Sequence, residues 1–163
     1  MDEKTIASVN GLIMLDRAAA ESYEIAAGVC TVGEIKQQLR SFKADHERHA
    51  NELSDWIRGH GVEPPTELGE TAIIIRGYTA LSSLEDRSAV LAMRGNEELT
   101  NTAYAFELRA DLPEELVEII GRNFEDERRH ISWIREEIRA RGWDHEPAEV
   151  REVVEGAEER RAA

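Results

Sequence analysis

The sequence holds a single cysteine, Cys30, among 163 residues. One thiol excludes an intramolecular disulfide and any metal cluster built from several thiolates. Prolines number only 4 and glycines 11, and they gather at a few breaks instead of being scattered. Basic residues are also few: 20 against 34 acids, for a formal net charge of −14. Nucleic acid and anionic membrane surfaces both need a basic footprint, so neither is an expected partner. A chain of this charge attracts cations. No apolar run approaches the roughly 18 residues that a membrane-spanning helix needs. The start, Met1-Asp2-Glu3-Lys4, lacks the basic opening and apolar stretch of a secretion signal, so a cytoplasmic location is expected. Runs of alternating β-branched residues are missing, as are a glycine-rich phosphate loop, a serine–histidine arrangement and a basic patch with interleaved aromatics.

What remains is a chain with enough apolar content, 41%, to build one core. Breaks fall at Gly59 to Gly77, at Pro113 and at Gly142 to Pro147. Between them apolar residues recur every three or four positions, which is helical spacing. Helix A is expected over about 4–27, with the inner stripe Ile6, Val9, Ile13, Asp16, Ala20, Tyr23 and Ala27. Thr31-Val32-Gly33-Glu34 offers a cap and a capping-box acid for helix B, over about 32–59. Its stripe is Ile35, Leu39, Phe42, His46, His49, Leu53 and Trp56. Helix C, over about 84–109, carries Val90, Met93, Glu97, Thr100 and Tyr104. Asp111-Leu112-Pro113-Glu114 fits an N-cap with proline in the first turn of helix D, over about 113–141. That helix carries Leu116, Ile120, Asn123, Glu127, His130 and Ile134. Short A–B and C–D links favour antiparallel neighbours, and the longer B–C link allows a crossover that includes a short helix near 67–80. The expected fold is an all-α four-helix bundle over residues 1–145, followed by a tail, 146–163, that docks as a short helix or frays.

Ionisable residues occupy the stripes where a core should be. Asp16, His46, His49, Glu97, Glu127 and His130 lie on inward positions of four different helices. Charged side chains are rarely buried unless they are paired or bind metal. An ion pair accounts for one or two of them; three carboxylates and three imidazoles facing one another make a natural site for iron, manganese or zinc. Glu127-Arg128-Arg129-His130 is a Glu-x-x-His motif, whose two ends share a helix face and can reach one metal. Taken alone, that pair reads equally well as a surface ion pair.

An internal repeat adds weight. A shift of 81 residues places Asp16 on Glu97, Tyr23 on Tyr104, Asp45 on Asp126, His46 on Glu127, Arg48 on Arg129, His49 on His130 and Gly61 on Gly142. The matches fall on the polar seam, as expected of two helix hairpins that each supply half of one central site. Asp45 and Asp126 lie one turn before a histidine. They suit the carboxylate that receives the outer ring N–H of a metal-bound histidine, within a hairpin or across the pseudo-twofold; a solvated helix face is the alternative. Tyr23 and Tyr104 suit core packing, with each hydroxyl satisfied by a site carboxylate, or a redox role. Trp56, Trp133 and Phe42 read as core or dimer contact, His60 and His145 as exposed. Cys30 reads as a small apolar residue, or as a thiol between subunits.

These residues resemble the ferritin-like superfamily of bacterioferritins, rubrerythrins and related di-iron carboxylate bundles. The resemblance covers about Ile6 to Arg141. Glu127-Arg128-Arg129-His130-Ile131-Ser132-Trp133-Ile134 is similar to the Glu-x-x-His-Ile-Asp-Trp-Leu run of bacterioferritins. Asp45-His46-Glu47-Arg48-His49-Ala50 resembles their Asp-Glu-x-x-His-Ala run. The resemblance implies a ligand set of Asp16, His46, His49, Glu97, Glu127 and His130. It implies iron, one or two per chain, with manganese or zinc as alternatives. It also implies reaction with oxygen or peroxide. A homodimer is the default expectation, with a higher homo-oligomer, such as a cage for iron storage, as the alternative. No residue is assigned a catalytic role beyond the ligands. Two departures stand out. Asp16 is one methylene shorter than the usual glutamate, and His46 stands where a bridging glutamate belongs. The matched positions supply −3, where four carboxylates would supply −4, and a histidine does not bridge two metals as a carboxylate does. One metal, an asymmetric pair or a metal-free scaffold are the resulting options. Glu47 points away from the seam and substitutes poorly; Glu21 and Glu24, also off the seam, are further candidates.

Overall fold

The structure, a computed structural model, describes residues 2–66, 79 and 84–144. It contains four helices: α1 (Glu3–Val29), α2 (Gly33–Gly59), α3 (Asp86–Glu107) and α4 (Glu114–Ala140). There is no strand among the described residues. The short helix expected near 67–80 and the tail at 146–163 fall outside them, apart from Thr79. No described helix is long and apolar enough to cross a membrane.

Why the helices run where they do follows from their ends. Asp2 accepts a hydrogen bond from the Thr5 amide at 2.8 Å and caps α1. Helices α2 and α4 finish alike: Gly61 and Gly142 take φ of 78° and 65°. The next amides, Val62 and Trp143, reach back to the carbonyls of Ile57 and Ile138 at 3.2 and 2.9 Å. Only glycine adopts that left-handed turn without strain, so the two halves of the repeat stop by the same device.

Two expected caps are not formed. Thr31 was the expected cap of α2, but Val32 holds that position and has no capping side chain. Thr31 instead donates its hydroxyl to Asp86 at 2.6 Å, and Asp86 Oδ1 also accepts the Thr31 and Val32 amides, each at 3.0 Å. The carboxylate at the start of α3 thus does the capping from another element, a partnership that local sequence does not encode. At α4 the N-cap is Pro113 itself, without a side-chain cap, and not Asp111.

Four stripes close on one another. Helices α1 and α2, α3 and α4, α1 and α3, and α2 and α4 are in contact, which is a four-helix bundle. Two apolar clusters fill its ends. One contains Ala27, Ile35, Leu39, Val90, Met93 and Ile134; the other contains Val9, Ile13, Leu53, Ile57, Leu116 and Ile120. Each fully buried Leu or Ile adds about 1.5–3 kcal/mol to folding. The clusters also give the directions. Helices α2 and α3 both run from the first cluster to the second, and α1 and α4 run back. Parallel α2 and α3 require the long connection between them. Midway between the clusters, at the same level on all four helices, lies the polar seam.

Candidate metal centre

Asp16, His46, His49, Glu97, Glu127 and His130 all have 0% exposure and converge at the middle of the bundle. Helix α1 supplies Asp16, α3 supplies Glu97, and α2 and α4 each supply two residues one turn apart. His46 is central. Its Nδ1 lies 2.9 Å from Asp16 Oδ1 and 3.4 Å from Glu127 Oε1, and its Nε2 lies 3.2 Å from Glu97 Oε1. The ring stacks on Tyr23 with centroids 5.4 Å apart. His49 Nδ1 lies 3.2 Å from Glu127 Oε1 and 3.5 Å from Asp16 Oδ1, and His130 Nδ1 lies 3.7 Å from Glu97 Oε1.

The outer nitrogens of His49 and His130 are held from the opposite hairpin. His49 Nε2 sits 3.3 Å from Asp126 Oδ2, and His130 Nε2 sits 3.0 Å from Asp45 Oδ2. A carboxylate only accepts, so each Nε2 carries the hydrogen and each Nδ1 faces inward. Neither aspartate serves the histidine of its own helix. Arg48 and Arg129, equivalent positions in the 81-residue repeat, fix both aspartates. Arg48 bonds Asp45 at 2.9 Å and Asp126 at 2.6 Å, while Arg129 bonds Asp45 at 2.8 Å and also Asp126. Their shared spacing, Asp-x-x-Arg in both hairpins, was the available signal.

The tyrosines cross in the same way. Tyr23 donates to Glu97 Oε1 at 2.5 Å, and Tyr104, its counterpart in the repeat, donates to Asp16 Oδ2 at 2.6 Å. Asn101, off the stripe and missed in the sequence, donates to the backbone carbonyls of Glu97 and Glu127 at 2.8 and 3.0 Å. It locks α3 to α4 beside both carboxylates. Asn123, one turn before Glu127, is fully buried with both amide atoms lacking a hydrogen-bond partner among the described residues. Glu24 and Glu47 are exposed and pair with Lys43 at 2.8 and 3.5 Å, away from the seam. Trp56 and Phe42 are buried, Trp133 is half-buried against the first apolar cluster, and Cys30 is buried and free. His60 is exposed and lies 2.8 Å from the Trp56 carbonyl; His145 is outside the described residues.

Burial and charge act against each other at this seam. Burial disfavours the charged form of His46, yet Glu127, Asp16 and Glu97 outweigh it and hold its pKa well above the usual value. His49 is raised to about 9 by Asp16 and Glu127 in the same contest, and His130 is raised by Asp45 and Glu97. Burial would raise Glu97, but His130 and His46 bring it down to about 2. Glu127 goes the other way: burial and the charges of Glu97 and Asp16 raise it despite His46. Burial and the adjoining carboxylates push both tyrosines well above 10, so they remain donors.

The donor set fits a metal ion. Five of its buried atoms have no hydrogen-bond partner among the described residues: His49 Nδ1, His130 Nδ1, Glu97 Oε2 and both oxygens of Glu127. Such atoms are costly unless something else satisfies them. Two groups bring one ligand atom per residue within 4.8 Å of one another: Asp16, His46, His49 and Glu127, and His46, Glu97, Glu127 and His130. Mixed imidazole and carboxylate donors suit iron, manganese or zinc. The cluster could therefore hold a metal ion.

Fold and site together define a helical bundle with a buried carboxylate–imidazole centre. A family model described as a domain of unknown function, DUF2383, matches residues 4–105, and the chain belongs to that family. The match takes in Asp16, His46, His49 and Glu97 and ends before α4. Neither the curated proteins nor the solved structures contain a match.

Proposed function

We propose that this chain is a ferritin-like metal-binding protein whose core site binds iron and promotes oxidation of Fe(II) by oxygen or peroxide. The observation that carries the reading is the convergence of five partnerless donor atoms on four fully buried side chains. Asp16, Glu97, Glu127, His49 and His130 would hold the metal, with His46 between them. Bound iron supplies the one-electron chemistry. The chain's own residues do the rest. Asp45 and Asp126 keep the hydrogen on each outer nitrogen and aim each Nδ1 inward. Tyr23 and Tyr104 fix the carboxylates of α3 and α1 and keep water from them. The net charge of −14 draws cations towards the protein.

A cytoplasmic homodimer or higher homo-oligomer is part of the same reading. Leu99, Phe106 and Val117, exposed on α3 and α4, are apolar surface of the kind a second copy covers.

The test is anaerobic loading with Fe(II), a count of tightly bound iron, and then exposure to oxygen. Oxidation at a bound stoichiometry of one or two supports the proposal. Glu127→Ala and His130→Ala should each abolish it, and full activity in either variant overturns it.

One observation favours a second reading, a metal-free interaction scaffold. Both nitrogens of His46 already face carboxylates, at 2.9 and 3.2 Å, as a self-contained network would have them. In that case chelation leaves the melting temperature unchanged, and His130→Ala costs stability without changing metal content.

A further inference from the structure

His46 and Glu127 belong to both candidate ligand groups. A carboxylate can serve two groups because it has two oxygens, and both oxygens of Glu127 lack a partner. His46 serves two for a different reason: its nitrogens face different groups. Nδ1 faces Asp16 at 2.9 Å and Glu127 at 3.4 Å, in the group completed by His49. Nε2 faces Glu97 at 3.2 Å, in the group completed by His130.

We propose that the site takes two divalent cations, one in each group, with the His46 ring bridging them as an imidazolate through Nδ1 and Nε2 beside Glu127. This rests on the metal-binding reading above and adds the number of ions and the bridge.

Charge supports it. Asp16, Glu97 and Glu127 supply −3, and an imidazolate adds the fourth negative charge, offsetting two divalent ions. A histidine at position 46 is then equivalent in charge to a glutamate, but it bridges across a ring instead of through one carboxyl. Geometry supports it as well. Terminal ligands divide evenly, Asp16 with His49 and Glu97 with His130, in accord with the 81-residue repeat. Tyr23 stacked on the ring, and complete burial, hold its orientation.

The proton balance is simple. In the metal-free state both ring nitrogens face acceptors and carry a hydrogen. Two cations displace both protons to solvent, two metal–nitrogen bonds form, and no electron moves. Ions on opposite edges of a five-membered ring sit further apart than the ~3.5–4 Å of ordinary two-metal sites.

Copper(II) is the probe, because imidazole suits it and its unpaired electron reports coupling. Chelated full-length protein is titrated with Cu(II), bound copper is counted by mass, and the paramagnetic resonance signal is integrated at low temperature. The expected result is two coppers per chain with clearly less than two spins, because the bridge couples them. His46→Gln should bind one copper, or two with full spin intensity. His46→Glu should again bind two, showing that the fold and terminal ligands survive.

One copper, or two uncoupled coppers, in the unmodified protein overturns the bridge and leaves metal binding standing. Coupling that persists in His46→Gln assigns the bridge to Glu127 alone and also overturns it. No copper, iron or zinc bound by either the unmodified chain or His46→Glu overturns the metal-binding reading and the bridge together. The unmodified protein alone decides the matter if His46→Gln does not fold.

Discussion

His46 Nδ1 lies 3.4 Å from Glu127 Oε1, and the two residues occupy equivalent places in the repeat. Of the three pairs of candidate ligands related by 81 residues, theirs is the one in which the two halves differ in kind. Asp16 and Glu97 are both acids, and His49 and His130 are both imidazoles. A near-symmetric centre is therefore built around an asymmetric pair, with an imidazole ring where symmetry would put a second carboxylate. Burial and charge together set the opposed shifts at the seam: Glu127, Asp16 and Glu97 hold the pKa of His46 up against burial, while burial, Glu97 and Asp16 raise Glu127 against the pull of His46.

The crossed aspartates give the first prediction. Asp45→Asn and Asp126→Asn each replace a carboxylate that orients a candidate ligand in the opposite hairpin. Loss of such a partner typically lowers metal affinity 10–100-fold. Competition against a chromophoric chelator should show a fall of that size in each variant, with helical content retained. Unchanged affinity in both would mean that His49 and His130 are not ligands.

A second prediction concerns the tyrosines. Tyr23→Phe removes the hydroxyl 2.5 Å from Glu97 Oε1, and Tyr104→Phe removes the one 2.6 Å from Asp16 Oδ2. A buried hydrogen bond to a charged group is worth about 1.5–3 kcal/mol. Urea unfolding of the metal-free protein should show losses of that order for each, the phenyl ring keeping the packing. A change near zero would mean that water or another donor replaces the hydroxyl.

A third prediction concerns pH. Asp16 on α1 and Asp126 and Glu127 on α4 face His49, Tyr104 on α3 packs against its ring, and Arg48 lies beside it on α2. Burial opposes its charge, yet Asp16 and Glu127 raise its pKa to about 9. A raised histidine stabilises fully below its unfolded value of about 6.5, and that stability is lost as pH rises through the folded value. The chelated protein should melt at progressively lower temperature between about pH 6.5 and 9. A bound metal needs the same nitrogen free of its proton, so the rise in melting temperature on adding Zn(II) should grow over the same window. A zinc increment that stays flat or shrinks would count against His49 as a ligand.

Much of this architecture is legible in the amino-acid sequence. Spacing of three and four residues gives four helices close to their observed limits, and every stripe residue named from that spacing is buried except Ile6, which is half-buried. The six seam residues were legible because ionisable side chains at inward positions contradict their surroundings, and a contradiction of that kind stands out in sequence. The caps were less legible. Thr31 has the chemistry of an N-cap, but Asp86 from α3 outcompetes it, supplying one carboxylate for two amides and a hydroxyl.

What the sequence determined by itself is the set of helices, their inward faces and the residues of the polar seam, because these depend on periodicity along a single chain. The tertiary structure decided which residue serves which. Asp45 lies one turn from His49 in the chain yet bonds His130, and Tyr23 lies on the helix of Asp16 yet bonds Glu97. The physical reason is that these bonds run between helices. They depend on how far one helix slides and turns against its neighbour, and that is fixed when the two apolar clusters close above and below the seam.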